Sequence, residues 1–258
     1  MNSYPGILNG KGIFLGYNGP DGHKLKVVAV LTMLIDHIGA ALYYPVLSNI
    51  YFGNTALSEQ IYQSMRNIGR IAFPIFAFLL VEGFLKTHDR RKYAMRLLMF
   101  AIISEIPFQL AFYSEFAFAF RNVFFTLFLG FLTIWGLERT GITSLFDEGI
   151  SLWDKTVRFL LSSLLISLSM FIAFSVDCDY DYRGIMLIVI FYIFREVRLF
   201  SVVFGYLSFL FEPWALPAFV MLYFYNGERG RQHKFFYYIF YPAHLMVLYL
   251  VRFVFAGY

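Results

Sequence analysis

Runs of mostly apolar residues, each about as long as the hydrocarbon layer of a bilayer, recur along this chain, and a run of that length has few alternatives to a membrane-spanning helix. Five stand at residues 25–47, 67–85, 93–113, 122–137 and 156–175. Four more follow at 184–194, 199–211, 213–225 and 235–256, and the first three of these are short and bounded by Arg195, Arg198 and Glu212. The pattern predicts an all-α, polytopic transmembrane helix bundle of about nine spans, eight to ten because a short span can tilt, kink or re-enter. With 59% hydrophobic residues, 15% charged residues and a mean hydropathy of +0.63, a soluble domain of this length would expose large apolar patches to water. The stretches between runs are too short to bury a core. A single domain is therefore expected over 1–258, with 1–23 as a cytoplasmic N-terminal segment.

A net charge of +4 and a pI near 9.0 would point to nucleic acid in a soluble protein. Here the basic residues flank the apolar runs, so they read as topology signals and no nucleic-acid partner is expected. If the N-terminus is cytoplasmic, alternate loops place all but five of the 21 lysines and arginines on that side. The exceptions are Arg66, Arg70, Arg121, Arg183 and Arg252. The first run begins only after Lys24 and Lys26 and is long enough to span, so it reads as a retained anchor. Cys178 is the lone cysteine, which excludes an intrachain disulfide.

Ionisable residues at membrane depth need a partner or a task. Asp36 and His37 lie about a dozen residues into the first span, roughly 18 Å along a helix, on faces about 100° apart. His37 titrates near neutrality and is the candidate general base; the structural alternative is that the two only cross-link neighbouring helices. The second span carries Arg70 and Glu82, and the third carries Arg96 and then Glu105 beside Pro107. A salt bridge of Arg70, Glu82 or Glu105 inside the bundle would be a purely structural use of them. Asn122 and Thr126, at i and i+4, share one face of the fourth helix and would position a substrate or pack between helices. In the last span Tyr241, Pro242 and His244 follow a charged loop, and His244 reaches a depth similar to that of His37. Among these groups no metal-ligand spacing stands out, so no metal is expected. The aspartates at 177, 179 and 181 lack the full pattern of a calcium loop and would equally attract a cationic acceptor.

The segments KVVAVLTMLIDH (26–37), GRIAFPIFAFLLVEGF (69–84), the stretch 93–108 with Arg96 and Ser104-Glu105-Ile106-Pro107, NVFFTL (122–127) and GERGRQHKFFYYIFYPAHL (227–245) follow one another over nearly the whole chain. Together they resemble the TraX family. That resemblance implies a membrane acetyltransferase similar to the conjugal-transfer protein that acetylates the amino terminus of pilin with cytoplasmic acetyl-coenzyme A. A more distant likeness to integral-membrane glycan acyltransferases, with a membrane-embedded histidine at the transfer centre, assigns that role to His37.

On this reading Arg91, Arg96, Arg229 and Lys234 hold the coenzyme's phosphates at the inner mouth. His37 deprotonates the acceptor, an amine or hydroxyl of an exported protein or surface glycan, and Asp36 or Glu105 orients the imidazole. The expected location is the inner membrane of a bacterium, within the lipid bilayer. Two rivals use the same residues differently: a proton-coupled transporter or channel with a path through Asp36, His37, Glu82 and Glu105, and a scaffold whose buried charges only fix helix pairing.

Overall fold

The computed structural model describes residues 19–47, 55–113, 121–145, 147–231 and 234–256. Every named element in them is a helix, and an isolated bridge joins Arg121 to Cys178. Helix α1 (Gly22–Ile38) starts where the Asp21 carboxylate accepts the Lys24 N–H at 2.8 Å. It continues as a π-helical stretch, Gly39–Leu47, in which Pro45 has no N–H to return to the preceding turn. α2 (Thr55–Gly69) and α3 (Ala72–Lys86) are separated by a tight turn in which Arg70 and Ile71 donate to the carbonyls of Asn67 and Ile68. α4 (Arg90–Tyr113) contains Pro107. α5 (Val123–Thr140) begins at the N-cap Asn122 and ends at Gly141, whose φ of 73° is the left-handed conformation that closes many helices. α6 (Leu152–Ser175), α7 (Asp181–Ile193), α8 (Arg198–Ser208), α9 (Leu216–Tyr223) and α10 (Lys234–Ala256) complete the order.

Among the described residues, six helical stretches are long and apolar enough to cross a membrane: Gly22–Tyr43, Ala56–Lys86, Arg90–Tyr113, Val123–Thr140, Leu152–Ser175 and Phe235–Phe255. The other three apolar runs form helices too, but short ones. α7 has 13 residues, or about 20 Å against a hydrocarbon layer of about 30 Å. It lies in the interior, packed on α3, α5, α6 and α8. Its apolar character serves protein contact: Ile185, Leu187, Ile188 and Phe191 are almost fully buried. Gly184 permits this depth, since a Cβ there would fall 2.6 Å from the Thr126 methyl group.

α1, α3, α5, α4 and α10 close a ring by successive contacts, with α8 and α9 packed on the α3 and α7 side. α6 is peripheral. Only Ser162, Ser169 and Ala173 of it are buried, whereas Leu164 and Phe171 are exposed, as a lipid-facing helix requires. A further difference from the sequence reading concerns 48–65, expected to be loop. Its described part belongs to α2, an amphipathic helix that turns Ser58, Ile61, Met65 and Gly69 inward and exposes Glu59, Gln60, Gln63 and Ser64. Of the expected N-terminal segment, residues 1–18 lie outside the described residues.

Candidate functional site

Lysines and arginines gather at one end of the bundle, where α1 begins, α3 ends and α4 begins. From that basic end α1 and α10 run side by side, and they bring the two intramembrane histidines together. His37 Nδ1 lies 2.7 Å from His244 Nε2, with the ring planes within 4° of parallel. His244 Nδ1 donates to the Phe240 carbonyl at 2.8 Å, one turn back on its own helix. Phe112 of α4 stands edge-on to His37 with centroids 5.2 Å apart, and Phe240 stacks on His244 at 4.8 Å. Tyr241 faces both imidazoles edge-on and turns its hydroxyl toward the Val123 amide at the first turn of α5. His244 is buried and His37 is half-buried.

Neither carboxylate expected to orient His37 is bonded to it. Asp36, its neighbour in sequence, points to α2 and pairs with Arg66 at 2.8 Å. Gly69 allows this approach, because a Cβ there would lie 2.3 Å from the Asp36 side chain. Glu105 belongs to the start of α5, where it accepts from Asn122 Nδ2 at 2.7 Å, Gln109 Nε2 at 3.0 Å and Arg121 Nη1 at 3.2 Å. Asn122 Nδ2 also donates to the Ala101 carbonyl at 2.8 Å, so this asparagine both caps α5 and ties it to α4. Thr126, one turn on, donates to the Asp179 carbonyl. Its role is to hold the loop before α7.

Arg70, Glu82 and Glu105 each form a salt bridge, as the structural alternative expects, but with other residues and not with one another. Arg70 meets Glu212 at 3.1 Å, beside the Tyr180 hydroxyl. Burial, with Asp179 next in effect, holds that phenol above its usual range, so Tyr180 serves as a neutral partner. Glu82 lies toward the basic end and bonds Lys86 and Tyr225. Lys86 Nζ in turn donates to the Gly227 carbonyl at 2.9 Å. These clusters are separate, so the carboxylates proposed for a proton path are each engaged with different partners. Among the described residues no group of three or more His, Cys, Asp or Glu side chains converges on a metal position.

Of the four basic residues expected to hold phosphates, Arg91 is exposed and Arg96 lies over the Tyr93 ring, beside Tyr238. Arg229 donates to the Lys86 carbonyl at 2.6 Å, closing the end of α3. Lys234 opens α10, and its side chain lies outside the described residues.

One feature escaped the sequence reading. A cleft of about 450 Å³ separates α1 from α10, lined by Val27, Val30, Leu31 and Leu34 on one side and by Phe236 and Phe240 on the other. At the basic end His23 Nδ1 and the Tyr237 hydroxyl meet at 2.9 Å, with Lys26 over the Tyr237 ring. The far end stops at Leu34 and Phe240, one turn short of His37 and His244. From His23 to Leu34 the helix rises roughly 16 Å. The spacing 23, 27, 30, 34 is the only signal in the sequence, and a stripe of that kind reads equally as packing.

A family model described as TraX protein matches residues 21–252. Among curated proteins, the chain is 36% identical over 85 residues to a probable fimbrial assembly protein FimC, serogroup H1, of Dichelobacter nodosus; the match covers 33% of this chain and 30% of that protein. It is 34% identical over 125 residues to an uncharacterized protein, RP591, of Rickettsia prowazekii (strain Madrid E), covering 48% of this chain and 40% of the other. The matched stretches thus amount to less than half of either relative. No solved structure matches the chain.

Proposed function

The chain belongs to the TraX family, which is associated with pilin acetylation, and from that premise we propose that it is an acetyltransferase of the bacterial inner membrane. It would move an acetyl group from cytoplasmic acetyl-coenzyme A to an amine or hydroxyl of an exported acceptor, a pilin-like N-terminus or a surface glycan. The observation that carries this reading is the His37–His244 pair, held at membrane depth just beyond a cleft that leads from the basic end.

Acetyl-coenzyme A supplies the activated thioester, and its phosphates call for cations where it enters. Arg91 and Arg96 on the first turns of α4, with Lys234 and Arg229 near the start of α10, would hold them. The walls of the cleft are apolar apart from His23 and Tyr237, which suits a slender chain passing from the basic end toward the histidines. His37 acts as general base. It takes the acceptor's proton as nitrogen or oxygen bonds to the acetyl carbon, and it returns the proton to sulfur as the carbon–sulfur bond breaks. Phe112, Tyr241 and Phe240 wall the pair with aromatic surface and exclude water from the transfer. The fimbrial assembly relative agrees with an acceptor of the pilin class.

The test is incorporation of radiolabelled acetyl from acetyl-coenzyme A into a pilin-like peptide by the purified protein in proteoliposomes. Transfer by the wild type and its loss in His37→Ala support the assignment. Full transfer by that variant removes His37 from the chemistry, and a proton current without acetylation makes the protein a transporter.

A further inference from the structure

Two neutral imidazoles share two N–H hydrogens among four ring nitrogens, and the bonds around this pair determine where both must be. The Phe240 carbonyl can only accept, so His244 Nδ1 carries a hydrogen. His244 Nε2 is then bare, and at 2.7 Å from His37 Nδ1 it must accept. The second hydrogen therefore sits on His37 Nδ1. His37 Nε2 is left with its lone pair and bonds to nothing among the described residues.

We infer that His244 is a positioning residue: by way of the Phe240 carbonyl it fixes His37 as the tautomer with a bare Nε2, so that Nε2 is the basic atom of the site. The inference rests on the proposal that His37 is the general base, but it specifies an atom that the proposal leaves open. An aspartate usually does this work in catalytic histidine sites; here a backbone carbonyl and a second ring replace it. The arrangement also accounts for what happens to the transferred proton. When Nε2 of His37 takes it, the hydrogen on Nδ1 moves along the 2.7 Å contact to His244, so two rings share the positive charge. Return of the proton to the leaving sulfur reverses both movements, and the pair is restored with no net change in protons.

The backbone donor–acceptor choice in α10 supports this assignment independently of any proposed reaction. A carbonyl oxygen has two lone pairs, so the Phe240 oxygen can accept from His244 Nδ1 in addition to its place in the helix ladder.

The experiment is long-range proton–nitrogen correlation on full-length protein carrying ¹⁵N-histidine, reconstituted in lipid nanodiscs, together with the acetyl-transfer assay. Wild type is expected to show His37 protonated at Nδ1 and bare at Nε2. His244→Gln, whose amide oxygen can stand where Nε2 stood, is expected to keep that spectrum and to retain transfer within about fivefold. His244→Leu is expected to shift His37 toward the other tautomer and to lower kcat by about 10²-fold, the scale of a mispositioned general base, with a much smaller change in KM for acetyl-coenzyme A. A hydrogen on His37 Nε2 in the wild type overturns the inference, as does a His244→Leu protein with unaltered spectrum and rate. Absence of acetyl transfer from a wild type that shows the expected tautomer refutes the proposed function and leaves the assignment of the tautomer standing.

Discussion

Glu105 provides the sharpest separation between a residue that builds the site and one that reacts in it. Its carboxylate accepts from Asn122, Gln109 and Arg121 and is buried between α4 and α5. Removing it in Glu105→Ala takes an acceptor from two buried amides. Bonds of that kind to a charged group contribute about 1.5–3 kcal/mol each. The Arg121 contact is discounted to about 0–1 kcal/mol, because its side chain is 31% exposed. Asn122 keeps its bond to the Ala101 carbonyl, which lowers the total. The expected loss is about 3–5 kcal/mol, the range for removing one member of a buried ionic group. Glu105→Gln keeps one oxygen acceptor, loses the charge and turns an NH2 toward a donor, for an expected loss of about 1–2 kcal/mol. The assay is equilibrium unfolding in mixed micelles, followed by acetyl transfer at a temperature where each variant is folded. Because Glu105 is not bonded to His37, the glutamine variant should transfer acetyl within a few fold of wild type. An alanine variant as stable as wild type but inactive would refute the structural assignment and return Glu105 to the reaction.

Three further outcomes follow from the same geometry. Gly69→Ala would place a Cβ 2.3 Å from the Asp36 side chain, so α2 must move off α1; the expected cost is about 1–3 kcal/mol in the same unfolding measurement, and an unchanged stability would show that the crossing yields freely. Burial, with Asp179 next in effect, pushes the Cys178 thiol up to about 12. At pH 8 roughly one thiol in 10⁴ is then ionised, so maleimide should label the native protein at least about 10²-fold more slowly than the denatured chain, with the native rate rising tenfold per pH unit. In a Cys178→Ser background, cysteine at exposed Asp89 should react with an impermeant reagent only from the cytoplasmic side, and cysteine at exposed Gln63 only from the other; a reversed result would invert the orientation read from the basic loops.

Long apolar runs translate almost directly into helices because both the bilayer and the backbone demand them, and all nine runs of this chain are helical. Length against burial is where reading the sequence falls short. Residues 184–194 look like a span because α7 is apolar on every side, yet protein rather than lipid covers it, and composition cannot distinguish the two coverings. α2 was missed for the opposite reason: its inward stripe of Ser58, Ile61, Met65 and Gly69 is too polar to raise a hydropathy window. In the site, similar depths for His37 and His244 were legible from distances along two helices. Their contact was not, since it joins residues 207 apart in the chain and depends on how α1 and α10 rotate about their axes. The roles of Asn122 and Glu105 as the cap and brace of α5 were also hidden, because either residue type serves a substrate as readily as a helix end.

The adjacency of Asp36 and His37 acquires a different meaning from the catalytic couple that it first suggests. Consecutive residues on a helix project about 100° apart, so the two cannot face the same neighbour. Asp36 is held by Arg66 on one side of α1, and Gly69 lets the two helices close tightly around that bond. Once that direction is fixed, α1 has no freedom to roll, and His37 is aimed at α10. The carboxylate thus acts on the imidazole through the helix to which both belong. Below this level α1 and α10 diverge around the cleft, and above it α2 and the π-helical stretch brace them. If the cleft admits a substrate between the two helices, as proposed, the histidine pair across them needs such a clamp on one side, and the Asp36–Arg66 bond supplies it.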